Sequence, residues 1–111
     1  MINTDIAAKF AENETPFYYY DLNVLNKTLE AAHVASHKRG FHVHYALKAN
    51  FNDQLLKAIQ SVGFGADCVS GNEVKKAIEC GFDSKKITFA GVGKSDKEIN
   101  YALDQNIFAF N

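Results

Sequence analysis

The chain has 111 residues, of which 47% are hydrophobic and 23% charged, with a net charge of -1 and a pI near 6.4. This composition is ordinary for a globular protein of at most one domain, and it excludes disordered and low-complexity chains. The sequence has no basic excess for nucleic acid, no apolar run approaching the roughly 20 residues of a membrane span, and no signal-peptide pattern in MINTDIAAKF.

The first part of the chain predicts a lead-in followed by one long helix. Residues 1–14 have weak helical character, and Thr15-Pro16 ends it because the residue before a proline avoids the helical region. The aromatic run FYYYD, residues 17–21, is typical of a strand. Asp21 is a candidate N-cap for the next helix, whose apolar residues keep a spacing near 3.6 until Gly40.

From residue 41 the chain alternates between extended runs and helices. Extended runs are predicted at 41–47, 64–69, 86–90 and 107–111, and helices near 52–62, 71–80 and 95–105. Helix terminators stand at the junctions, namely Gly63, Gly81 and Asn106. A steady alternation of strand and helix predicts right-handed βαβ units and a parallel sheet.

Two α/β architectures fit this alternation, an open doubly wound sheet and a (β/α)8 barrel. A full barrel needs roughly 250 residues, and this sequence ends within its fourth predicted strand. We therefore expect the N-terminal part of a (β/α)8 (TIM) barrel with about four βα units. The alternative is a compact four-stranded α/β domain that is complete in itself.

The stretch HVHYALKAN, residues 42–50, contains the strongest candidate for chemistry. Strand alternation places Val43, Tyr45 and Leu47 on the helix-facing side and His44, Ala46 and Lys48 on the side that points into a barrel. Lys48 falls at the carboxyl end of the strand, where barrel enzymes keep their active sites. Its amine can form a Schiff base with an aldehyde. The plainer alternative is a lysine that merely begins a loop.

Five segments extend this pattern into a resemblance that covers nearly the whole chain. They are TPFYYYD, HYALKANFNDQLLKAI, GFGADCVSGNEVKKAIECG, KITFAGVGKSDKEINYAL and IFAFN. In this order and spacing they resemble the N-terminal third of the fold-type III, pyridoxal-phosphate-dependent decarboxylases, whose barrel is of the alanine racemase-like type. GVGKS and the final FN favour the diaminopimelate branch, although Val92 stands where that family usually has Asn.

The resemblance implies a cofactor, a reaction and a domain plan. Lys48 would carry pyridoxal 5'-phosphate, and the complete enzyme would be a homodimer that decarboxylates meso-diaminopimelate to L-lysine. Residues 1–21 would be a lead-in that joins a β-rich second domain, and residues 22–111 the first half of the cofactor-binding barrel. The family's phosphate loop and the acid that pairs with the pyridine nitrogen come later in the chain, so we expect the 111 residues alone to be inactive.

Three other functions remain open at this stage. The first is another decarboxylase of the same family, acting on ornithine, arginine or carboxynorspermidine. The second is a barrel protein that binds pyridoxal phosphate without catalysis, and the third is a small α/β module without a cofactor.

Cys68 and Cys80 are too far apart for a CxxC motif and predict buried thiols in a reducing compartment, with a disulfide as the alternative. The cytoplasm is the expected location.

Asp67 is the second candidate site residue. Its place at the carboxyl end of the second strand implies, by resemblance, a role in orienting Lys48 or the cofactor ring. The alternative, equally open, is that it caps the next helix. Ser70 and Glu73 predict a capping box for that helix.

The remaining polar motifs favour structural roles. His44 is expected to be a packed core histidine. His33 and His37 have the i, i+4 spacing of a zinc pair, but they lack the Glu of a zincin motif and a third ligand, so a surface helix face is predicted and no metal is expected. The glycines of GVG, residues 91–93, predict a tight turn in preference to a phosphate cradle.

Overall fold

The computed structural model describes residues 4–111 and contains one parallel sheet of four strands. The strands are β1 (His44–Ala46), β2 (Gly65–Cys68), β3 (Ile87–Phe89) and β4 (Ala109–Phe110). The helices are α1 (Thr4–Phe10), α2 (Leu22–His37), α3 (Asp53–Ser61), α4 (Gly71–Glu79) and α5 (Asp96–Asp104), with short 3-10 turns at Leu47–Ala49 and Ser84–Lys86.

The order of the strands separates the two candidate architectures. The sheet runs β1-β2-β3-β4, and every neighbouring pair is parallel. Each new strand is therefore added on the same side of the previous one, as it is around a barrel. A doubly wound sheet reverses its direction of growth at a switch point. The fold is α/β and follows the arc of a (β/α)8 barrel, which confirms the prediction and excludes the doubly wound alternative.

The two faces of the sheet differ in burial. Ala66, Cys68, Ile87 and Phe89 alternate onto the face beneath the helices, and all four are 0% exposed. On the other face, Asp67 and its register partners Ala46 and Thr88 are only half-buried. This difference follows from strand geometry, because successive side chains point to opposite faces. The hydrophobic core therefore lies on the helix side of the sheet and leaves the inner face for polar groups.

The predicted helix boundaries rest on caps that the structure contains. The Asp21 carboxylate accepts the backbone N–H groups of Asn23 and Val24 at 3.0 and 3.1 Å, which fixes the start of α2. The carboxyl ends of α3, α4 and α5 are followed by Gly63, Gly81 and Asn106, whose φ angles are 86°, 93° and 56°. A left-handed residue ends a helix and redirects the chain into the next strand. These three junctions are confirmed.

The helices pack their apolar faces on one side of the sheet. Leu29 of α2, Leu56 and Ile59 of α3, and Val74 of α4 all enter one core cluster. Leu103 of α5 lies outside this cluster, because its side chain is 58% exposed. In a helix that turns about 100° per residue, Ala102 takes the buried position and Leu103 is turned away from the core.

The lead-in differs most from the sequence prediction. Residues 17–20 form no strand, so the predicted FYYYD strand is wrong. Their aromatic rings instead pack locally, with the Phe10 ring centroid 5.4 Å from that of Phe17 and 5.0 Å from that of Tyr19. The run of rings that suggested a strand is thus used for contacts with α1. The prediction for residues 1–3 lies outside the described residues.

The two cysteines are free and buried, which confirms the prediction of buried thiols and excludes the disulfide alternative. Burial raises the pKa of the Cys68 thiol to about 12, and nearby Glu73 and Asp67 act in the same direction. Cys68 is therefore held as an unreactive thiol at neutral pH. Between residues 4 and 111, none of the helices is both long and apolar enough to pass through a membrane.

Candidate functional site

Lys48 lies where the carboxyl ends of the parallel strands meet. It is the middle residue of the 3-10 turn Leu47–Ala49, which begins directly after β1. Leu47 is 1% exposed and anchors the turn in the core, whereas Lys48 is exposed. The prediction of an extended run to residue 47 is therefore wrong in detail, because the strand ends at Ala46. Within residues 4–111 the Lys48 amine has neither a hydrogen bond nor an ion pair.

Asp67 lies on β2, the strand that pairs with β1. Its Cα is the register partner of Ala46, two residues before Lys48, so Asp67 and Ala46 share the inner face of the sheet. Thr88 on β3 donates its hydroxyl to Asp67 Oδ1 at 3.3 Å. No ion pair joins Asp67 to Lys48 among the described residues. The structure therefore brings the two predicted residues to neighbouring positions and leaves the lysine amine unpaired.

The capping alternative for Asp67 is wrong. Ser70 is the N-cap of α4, and its hydroxyl accepts the backbone N–H of Glu73 at 3.2 Å. The Glu73 carboxylate reaches back to accept the N–H of Val69 at 2.7 Å. The predicted capping pair is thus present, with the reciprocal bond one residue earlier than in the standard motif. This pair fixes the loop after β2 and leaves the Asp67 carboxylate on the inner face.

A lysine that the sequence analysis did not single out joins the loop after β3 to Asn111, the residue that follows β4. Lys94 Nζ donates to the carbonyl oxygens of Gly91 at 2.5 Å and Asn111 at 2.7 Å. Gly91 has a φ of 101°, and a Cβ built on it would lie 2.8 Å from the Val69 carbonyl oxygen. The first glycine of GVG therefore makes the tight turn that was predicted. The sequence signal for these two hydrogen bonds was a lysine three residues after Gly91.

A second set of contacts joins residues on both sides of Lys48 in the chain, and the sequence did not predict it. The Tyr45 hydroxyl donates to the Asn50 carbonyl oxygen at 3.0 Å, and Asn50 Nδ2 donates to the Tyr20 hydroxyl at 3.0 Å. Burial raises the pKa of Tyr45, its bond to Asn50 partly opposes the shift, and Tyr20 adds to it. Tyr45 therefore remains a neutral donor at physiological pH. The spacing of five residues between Tyr45 and Asn50 gives no recognisable sequence motif.

The histidines occupy the positions of structural residues. The His44 ring lies against Gly65, where an added Cβ would come within 2.8 Å of Nδ1, and Nδ1 is 3.4 Å from the Ala66 carbonyl oxygen. His33 and His37 stack on each other on an exposed stretch of α2, with ring centroids 5.7 Å apart. Residues 4–111 contain no group of three or more His, Cys, Asp or Glu side chains that could hold a metal ion.

Comparisons with known proteins match this arrangement over most of the chain. A family model described as "Pyridoxal-dependent decarboxylase, pyridoxal binding domain" matches residues 23–111. Diaminopimelate decarboxylase from Bacteroides thetaiotaomicron is 52% identical over 105 residues, which is 93% of this chain and 27% of that protein. Diaminopimelate decarboxylase from Helicobacter pylori strain J99 is 41% identical over 102 residues, which is 92% of this chain and 25% of that protein.

A solved structure gives the same result in three dimensions. The crystal structure of a point mutant of Helicobacter pylori diaminopimelate decarboxylase, complexed with L-lysine, matches with a TM-score of 0.84 at 38% identity. The match covers 95% of this chain and 27% of that one. The chain thus spans about a quarter of the length of the curated relatives that it matches.

Proposed function

This chain belongs to the pyridoxal-binding domain family of the pyridoxal-dependent decarboxylases, and on that premise we propose that the protein containing it decarboxylates meso-diaminopimelate to L-lysine. The observation that carries the proposal is an unpaired lysine amine in the turn after β1, at the carboxyl end of a barrel arc. The 52% identity to a diaminopimelate decarboxylase supports the choice of substrate.

The residues at this end of the sheet fit a cofactor that is held through a lysine. Lys48 offers a primary amine that no carboxylate or carbonyl engages within residues 4–111. Ala46, the inward residue before it, is small, and the Asp67 carboxylate lies on the same face one strand away. Small neighbours leave room for a ring, and a nearby acid can orient an amine or accept a hydrogen bond from it. The donor set therefore suits pyridoxal phosphate.

We propose distinct roles for the two residues. Lys48 Nζ attaches the cofactor and, when released, holds the proton that is returned to the substrate α-carbon after the bond to the carboxylate breaks and carbon dioxide leaves. When bound, pyridoxal phosphate supplies an aromatic ring that accepts the electron pair left by that cleavage. Asp67 orients Lys48 or the ring from the inner face, with its own carboxylate steadied by the Thr88 hydroxyl.

The domain plan, assembly and location are part of the same proposal. Residues 1–21 form the lead-in to a second, β-rich domain, and residues 22–111 form the first half of the cofactor-binding barrel. The homodimeric state follows from the resemblance of the sequence, and the cytoplasmic location follows from the two free, buried thiols, which suit a reducing compartment.

The test is carbon dioxide release by the protein that contains this chain. Its substrates are meso-diaminopimelate, ornithine, arginine and carboxynorspermidine, measured for the wild type, Lys48→Ala and the exposed Lys57→Ala. We expect turnover of meso-diaminopimelate, loss of that turnover in Lys48→Ala, and normal turnover in Lys57→Ala. Preference for another substrate would overturn the assignment of substrate. Bound cofactor without release from any substrate would support a non-catalytic binding protein instead.

A further inference from the structure

We infer that Tyr45, Asn50 and Tyr20 form a hydrogen-bonded clasp that positions Lys48. The inference rests on the proposed function, because it assigns these side chains to the support of the cofactor-bearing lysine. None of the three touches a reacting atom in the scheme above, so they are positioning residues. The clasp closes the short turn around Lys48 and ties it to the lead-in.

The first link spans the turn itself. Tyr45 lies on β1 and Asn50 follows the 3-10 turn, so the bond from the Tyr45 hydroxyl to the Asn50 carbonyl encloses residues 46–49. A 3-10 turn of three residues has poorer hydrogen-bond geometry than an α-helix and holds its shape weakly by itself. The buried side chain of Leu47 fixes one side of Lys48, and the Tyr45 bond fixes the other.

The second link uses both polar atoms of the Asn50 side chain. Asn50 Nδ2 donates to the Tyr20 hydroxyl, and Asn50 Oδ1 accepts the backbone N–H of Asn52, each at 3.0 Å. Asn52 in turn caps α3 by accepting the N–H of Gln54 at 3.0 Å. The segment after Lys48 is therefore held at the lead-in, at the strand and at the next helix, and a shift of one contact would strain the others.

The position of Tyr45 explains why a tyrosine serves here. Its ring packs against the hydrophobic core together with Val43 on the helix-facing side of β1, while its hydroxyl reaches the turn. A phenylalanine would preserve this packing and remove only the hydroxyl. Lysine has a long flexible side chain, and a misplacement of about 1 Å in a catalytic group can cost about a hundredfold in rate. A fixed backbone at residues 47–50 reduces that freedom.

The experiment compares Tyr45→Phe with Tyr18→Phe in the protein that contains this chain. Tyr18 is the matched control, because it also loses a hydroxyl, while its side chain is 89% exposed and has no hydrogen bond to residues 4–111. In the cofactor-free protein, we expect amide hydrogen exchange across residues 47–51 to become about fivefold faster in Tyr45→Phe, as the loss of one neutral hydrogen bond predicts. Tyr18→Phe should match the wild type.

The holoenzyme provides a measurement that would stay unchanged if the three residues only stabilised the fold. In Tyr45→Phe we expect the pH midpoint of the visible band of the lysine-attached cofactor to shift, and kcat to fall about tenfold while KM changes little. Unchanged exchange together with an unchanged band would overturn the clasp. If wild-type protein carries no cofactor on Lys48, the proposed function fails, while the exchange measurement still decides whether the clasp exists. Tyr20→Phe, at a 40% exposed residue, gives the same test if Tyr45→Phe does not fold.

Discussion

The Glu98 carboxylate of α5 accepts the backbone N–H of Gly71, the first residue of α4, at 2.8 Å. The same carboxylate closes the capping box of its own helix by accepting the N–H of Ser95 at 3.0 Å. One anion therefore serves the amino ends of two helices, where the helix dipole favours negative charge. The close approach leaves no room for a side chain at Gly71, since an added Cβ would lie 2.7 Å from Glu98 Cγ.

This shared carboxylate predicts a pH-dependent contribution to stability. The N–H groups of Ser95 and Gly71, followed by the Ser95 hydroxyl, lower the pKa of Glu98 from 4.5 to about 2. A depressed pKa means that the contribution is complete above pH 4.5 and is lost as the pH falls through about 2. Glu98→Gln should therefore be less stable than the wild type at pH 7, and the difference should shrink as the pH approaches 2.

Denaturant unfolding at several pH values measures this difference, with Glu79→Gln as the control. Glu79 makes an exposed i, i+4 contact with Lys75, at 3.9 Å, and such pairs contribute about 0.5 kcal/mol or less. A gap between Glu98→Gln and the wild type that stays constant down to pH 2 would contradict the assignment.

Gly91 and Gly93 provide a second, internally controlled prediction. Gly91→Ala must place a Cβ 2.8 Å from the Val69 carbonyl oxygen at a φ of 101°, whereas Gly93 has open space around it. Backbone strain of this kind costs about 1–3 kcal/mol. We expect Gly91→Ala to lower the free energy of unfolding by about that amount and Gly93→Ala to change it by less than about 0.5 kcal/mol. Equal stability of the two variants would show that the turn does not require glycine.

Asp67→Asn tests the second proposed site residue. Asparagine keeps an oxygen that can accept the Thr88 hydroxyl, so the fold should be preserved. Loss of this charge on the inner face of β2 should lower kcat for carbon dioxide release by about 10- to 100-fold, a typical cost for a poorly oriented catalytic group. Asp104→Asn, at an exposed residue near the end of α5, is the control. A kcat equal to that of the control would remove Asp67 from the site.

The sequence predicted the alternation of strands and helices better than the contacts of the candidate site. The strand and helix alternation was readable because apolar spacing and the terminators Gly63, Gly81 and Asn106 are local signals. FYYYD was misread because aromatic residues favour strands only where a neighbouring strand can pair with them. The placement of Lys48 at a strand end was close, but the 3-10 turn around it was not predictable.

The contacts that shape the site and the packing of its helices join residues far apart in the chain. The bond between Asn50 and Tyr20 spans 30 residues, and the bond between Gly71 and Glu98 spans 27. Neither the composition nor the periodicity of the sequence determines which polar groups meet across such distances. Asp67 illustrates the same limit, because a cap and an inner-face carboxylate have the same local sequence signal. Only the observed N-cap at Ser70 separated the two.

The most direct test of the central claim locates the lysine that carries the cofactor. Borohydride reduction of the holoenzyme makes the bond between cofactor and amine permanent, and peptide mass mapping then identifies the modified residue. Lys94 is the informative competitor, because it lies at the same end of the sheet but its amine is bound to two carbonyl oxygens. We expect the label on Lys48 alone, whereas a label on Lys94 or another lysine would show that Lys48 does not carry the cofactor.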